Sequence, residues 1–118
     1  MKFLLTYLPD PSAPPPAAEK MMEVARFTEE MAKSGTVLLT GGLVRPTKGT
    51  QIRYAGGKVS VTDGPFAETK ELIDGFALVE VRSKAEAIEV AGRFMQIAGE
   101  GTGEILQVFD PGEIPPPR

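Results

Sequence analysis

Gly75-Phe76-Ala77-Leu78-Val79-Glu80-Val81, followed by Arg82-Ser83-Lys84-Ala85-Glu86, is the stretch on which the fold turns. The first seven residues are mostly apolar and suit a buried strand. Ser83 and Glu86 have the spacing of a capping box, in which serine and glutamate satisfy each other's backbone amides at a helix start. Ile88, Ala91, Met95 and Ala98 then recur at helical spacing, Gly99 ends the helix, and Glu104–Phe109 returns as a strand. One β-α-β unit is therefore expected in the C-terminal half.

The N-terminal half repeats the pattern. Residues 2–8 read as a strand, and Pro9-Asp10-Pro11-Ser12-Ala13-Pro14-Pro15-Pro16 reads as a stiff polyproline connector. A helix over 16–34 is expected, with Pro16 in its first turn, Met21, Val24, Thr28 and Met31 inward, and Lys33-Ser34-Gly35 as its stop. Thr36–Thr40 reads as the next strand, broken by a bend or bulge at Gly41-Gly42. Between the two units, Gln51–Ala55 and Lys58–Thr62 alternate polar and apolar residues around Gly56-Gly57, a hairpin signal. The expected architecture is an α+β, ferredoxin-like βαββαβ sheet with an inserted hairpin and both helices on one face.

Two helices cover only one face of such a sheet, yet its strands are apolar on both. Phe3, Leu5 and Tyr7 oppose Leu4 and Leu8; Phe76 and Leu78 oppose Ala77, Val79 and Val81; Ile105 and Phe109 oppose Leu106 and Val108. An antiparallel sheet with one wet face alternates more cleanly. A second copy of the chain is expected on the open face, giving a face-to-face homodimer. The alternative is that the inserted hairpin folds over that face.

Composition narrows the function. With 118 residues, 42% hydrophobic and 25% charged, the chain reads as one globular domain over 1–118. Its 13 basic residues are dispersed and outnumbered by 16 acidic ones, so no direct nucleic-acid contact is expected. The apolar start, Met1–Leu8, is too short for a signal peptide, and no run could span a membrane, so a cytoplasmic protein is expected. The chain has no cysteine and no histidine, which removes thiolate nucleophiles, histidine triads and the usual zinc ligands. Asp, Glu, Lys and Tyr remain for acid–base work.

Asp63-Gly64-Pro65-Phe66-Ala67-Glu68-Thr69-Lys70-Glu71 is the most distinctive run. Asp63 has two readings, a turn-shaping side chain or a carboxylate lining a pocket, and the two are compatible. Phe66 reads as an anchor for the loop. Glu68, Lys70 and Glu71 read as a solvated charged face; in the alternative reading Glu68 and Glu71, three apart, present two carboxylates near Asp63 that raise a pKa or hold Mg²⁺. No metal site and no cofactor are expected. Tyr7, Tyr54, Arg45 and Arg53 are lesser candidates for ligand contact. Gly99-Glu100-Gly101-Thr102-Gly103 lacks the following helix and the Gly-Lys-Ser/Thr of a phosphate loop, and reads as a flexible connector.

The run at 63–71, with Lys58–Thr62 before it, Gly75-Phe76 after it and the helix opening at Ser83–Ala91, resembles the DGPF branch of the YCII-related family. That resemblance implies a ferredoxin-like protomer paired into a dimeric α+β barrel. It implies two functional readings. One is a cofactor-free, enzyme-like dimer holding a small organic ligand in a pocket near Asp63. The other is a protein-interaction module tied to transcription through a sigma factor. The histidine that many relatives carry is absent here, so a His–Asp mechanism does not transfer.

Overall fold

A computed structural model of the chain describes residues 1–14, 16–43, 49–64 and 74–113. In chain order the elements are β1 (Lys2–Pro9), α1 (Ala18–Lys33), β2 (Val37–Gly42), β3 (Thr50–Ala55), β4 (Lys58–Asp63), β5 (Gly75–Glu80), α2 (Lys84–Ala98), β6 (Gly101–Thr102) and β7 (Ile105–Val108). The main sheet runs β2-β5-β1-β7, every neighbouring pair antiparallel, with β6 extending it along the end of β1. Chain-order neighbours are thus separated by an inserted strand, the split β-α-β arrangement compatible with a ferredoxin-like fold.

One face of this sheet carries the helices. Phe3, Leu5, Val79 and Val81 form the core with Ala87 and Val90 of α2. Val79 and Ala87 are fully enclosed. α1 contributes Phe27, over which the Arg93 guanidinium of α2 lies at 5.0 Å from the ring centroid. That cation–π contact ties the helices together. Ser83 caps α2 by accepting from the Glu86 amide at 3.2 Å. Only this half of the expected box forms among the described contacts; the Glu86 carboxylate instead lies 3.9 Å from Arg82 Nε.

Several expected details shift. α1 starts at Ala18, so Pro16 precedes the helix instead of entering its first turn, and Phe27 is the residue it buries while Met21 is exposed. In α2 the buried positions are Ala87 and Val90, and Ile88 faces outward. Ala87 lies in the core cluster with Phe3, Leu5, Val79 and Val81, while Ile88 is 51% exposed. β2 runs straight through Gly41-Gly42; its irregularity lies between Val37 and Leu39. Gly41 has the Phe76 ring against it, where an added Cβ would lie 3.3 Å from the ring edge.

The glycine-rich segment after α2 is not a loose connector. Gly101 pairs with Pro9, and a Cβ on it would stand 2.5 Å from the Leu8 carbonyl oxygen and 2.8 Å from the Tyr7 ring. A Cβ on Gly103 would stand 2.5 Å from the Thr6 carbonyl oxygen. The glycines are there so that this backbone can lie against β1.

Among the described residues, the other sheet face carries no helix. Register places Leu106 opposite Leu4, Leu4 opposite Leu78, and Leu78 opposite Leu39, a row of leucines crossing all four strands. Leu39 is 59% exposed and Leu106 48% exposed. Beyond the row, Lys2 stands opposite Glu80, and its ammonium holds both oxygens of Asp110 at 2.7 Å. The inserted hairpin does not fold over this face: β3 and β4 pair only with each other among the described strands and are exposed throughout.

Gly101→Ala is expected to cost roughly 2–3 kcal/mol by overpacking against β1. Gly92→Ala, in α2 with nothing within 4 Å of the added carbon, is expected to gain about 0.5–1 kcal/mol, both read by urea unfolding. The Lys2 ammonium also holds the Asp110 carboxyl below the usual carboxylate range. That stabilisation is present above the ordinary value of about 3.9 and is lost as pH falls through the depressed one. Lys2→Met should therefore lose less stability than the parent between neutral pH and that acid range, measured by unfolding midpoints.

Candidate functional site

The excursion between the two β-α-β units leaves and re-enters the sheet at one place. The Leu43 amide donates to the Asp74 carbonyl at 2.7 Å, and the Asp74 amide donates to the Tyr7 carbonyl at 2.9 Å. Within the excursion, Gly56 and Gly57 take φ values of +60° and +77°, the geometry of a primed two-residue turn. β3 and β4 then run in register from Ala55↔Lys58 to Thr50↔Asp63.

Asp63 closes the open end of this hairpin. Its Oδ1 accepts from Thr50 Oγ1 at 2.8 Å, and the next amide, that of Gly64, donates to the Gly49 carbonyl at 2.8 Å. The side chain is exposed and pins the two strands where the chain enters the distinctive run. Phe66, Glu68, Lys70 and Glu71 lie outside the described residues, as does Arg45. Arg53 stands on the polar side of the hairpin, opposite Ser60.

Tyr7 is committed to the fold. Its hydroxyl donates to the Gly99 carbonyl at 2.9 Å and lies 3.3 Å from that of Glu100. Its ring meets Phe94 edge-on at 5.3 Å between centroids. Burial and the negative charge of Asp74 push the phenol above its ordinary value, so it stays protonated at neutral pH.

Two open depressions of about 420 and 320 Å³ adjoin at Glu100 and Gly101. The larger lies beneath the end of α2, between Met95, Gln96 and Gly99; the smaller lies beside Leu8, Pro9 and Asp10. The Asp10 carboxylate is already bonded to the amide and hydroxyl of Ser12, which hold it below its ordinary value. Of the residues that line the two depressions, Asp10 and Glu100 are the ones that carry carboxylates. Among the described residues no group of three or more carboxylates is close enough to hold a metal ion, and no helix is long and apolar enough to cross a membrane.

The feature that residue-by-residue reading passes over is the other side of the hairpin. Ile52 faces Val61 and Tyr54 faces Val59, and these side chains are 71%, 62%, 74% and 60% exposed respectively. The alternation that marks the hairpin also encodes this apolar face; what the alternation does not say is that these four side chains stay largely exposed.

Comparison with known proteins bears on the whole of this architecture. A YCII-related domain family model matches residues 1–110. An uncharacterised protein of Rhizobium meliloti (strain 1021) is 33% identical over 99 residues, covering 80% of this chain and 79% of that protein. The main sheet, both helices and the hairpin all fall within the matched span, and the chain belongs to the YCII-related family.

Proposed function

We propose that this protein works as a homodimer, joined through the open sheet face, that binds a small polar organic molecule without a cofactor. The observation that carries the dimer is the leucine row Leu106-Leu4-Leu78-Leu39 on a face that no described helix covers. Apolar area left in water forgoes about 25 cal/mol per Å², and a patch spanning four strands bordered by the Lys2–Asp110 pair has the apolar-centre, polar-rim anatomy of an interface.

The ligand reading rests on the DGPF-like run. Asp63 supplies an exposed carboxylate at the hairpin base, fixed in direction by Thr50, with Phe66, Glu68, Lys70 and Glu71 following it in sequence. An oriented carboxylate can accept a proton from, or hydrogen-bond to, a hydroxyl or amine of a small substrate. The competing reading is an interaction module linked to transcription through a sigma factor, which draws only on the family resemblance.

Leu39→Glu with Leu106→Glu should weaken the dimer at least tenfold by light scattering after size exclusion, while far-UV circular dichroism is unchanged. Both leucines are already half exposed in the protomer, so a dimer as tight as the parent would count against the open face as the interface. For the site, native mass spectrometry of protein purified from extract should show a small-molecule adduct that Asp63→Asn loses with the dimer intact. Recovery of a sigma factor with no adduct would favour the interaction module instead.

A further inference from the structure

We infer that the β3–β4 hairpin is an arm whose apolar face, Ile52, Tyr54, Val59 and Val61, packs against a second copy of this chain. The inference rests on the dimer reading above and adds a second contact to it, one formed by the arm instead of the main sheet.

A lone two-stranded hairpin is marginal in water. This one pairs with no other described strand and carries four large apolar side chains on one side, with Gln51, Arg53, Ser60 and Thr62 on the other. Such two-sidedness has no use for an arm in solvent and suits a ribbon lying on an apolar surface. The chain's radius of gyration is 16.4 Å, against roughly 13–14 Å for a compact chain of this length. The arm's own sheet does not receive it, since Leu38, Leu39 and Leu106 remain 49%, 59% and 48% exposed.

The dimensions fit a second copy. Strands of six residues are roughly 20 Å long, and a row crossing four strands spans about 14 Å, so the arm can reach across a neighbouring sheet margin. The four arm residues and the three exposed leucines together present roughly 800 Å² per protomer, the per-partner area of a standard stable interface. A two-fold arrangement buries both patches on both protomers through one repeated contact, which a partner of a different kind would have to match twice.

The test is Ile52→Ser with Val61→Ser, against Gln51→Ser with Thr62→Ser on the polar side, by sedimentation equilibrium of the full chain. The apolar-side pair should raise the dimer dissociation constant at least tenfold, and the polar-side pair should leave it within about twofold. A parent dimer unmoved by the apolar-side pair overturns the arm and leaves the sheet-face dimer standing. A parent that stays monomeric at tens of micromolar overturns both. Amide hydrogen exchange on the unaltered protein guards against local misfolding of the variant. Protection over residues 50–63 should fall on dilution to monomer, and protection independent of concentration overturns the arm.

Discussion

A strand that is apolar on both faces has to be covered twice, and β1 sets that requirement for the whole protomer. It lies between β5 and β7, with Phe3 and Leu5 turned toward the helices and Leu4 turned the other way. The helix side is settled internally: Val79 and Ala87 are fully enclosed, and Phe27 and Arg93 lock α1 to α2. On the opposite side Leu4 is only one of a row of leucines, and no helix among the described residues covers them. The same strand fixes the glycine-rich turn after α2, because its backbone at Thr6 and Leu8 leaves no room for a side chain on Gly103 or Gly101.

This arrangement separates what stabilises the protomer from what it presents outward. Tyr7, Phe94 and the end of α2 form a polar-aromatic corner, with the phenol spent on backbone carbonyls. The hairpin, by contrast, shows its apolar side and a Thr50-held Asp63 to the outside. The feature that the family-like run adds to the fold is therefore attached to its least self-sufficient element. That coupling gives a physical reason to consider ligand binding and pairing of protomers together: the arm that carries Asp63 pairs with no other described strand.

Much of this was legible in the residues. Two-faced patterns such as Phe3-Leu4-Leu5 and Phe76-Ala77-Leu78-Val79 are visible without coordinates, because side chains alternate with a period of two whatever the context. Gly56-Gly57 declares its turn for an equally local reason. The misses came from contacts between segments distant in sequence. Nothing local distinguishes Phe27 from Met21 as the inward residue of α1, since Arg93 and the sheet decide it. Gly101 and Gly103 look like flexible spacers until β1 is placed beside them. Asp63 stands out in the sequence and its hydrogen-bond partner Thr50 does not, because the pair is made across the hairpin. Phe66, Glu68, Lys70 and Glu71 lie outside the described residues.

The central claim is that the leucine-lined sheet face is covered by a second copy of the chain. Sedimentation equilibrium of the unmodified protein across nanomolar to micromolar concentrations tests it most directly. The account predicts a mass of twice 12.6 kDa at micromolar protein, falling toward the single-chain value on dilution. A mass of one chain throughout would contradict it and leave the leucine row without an occupant.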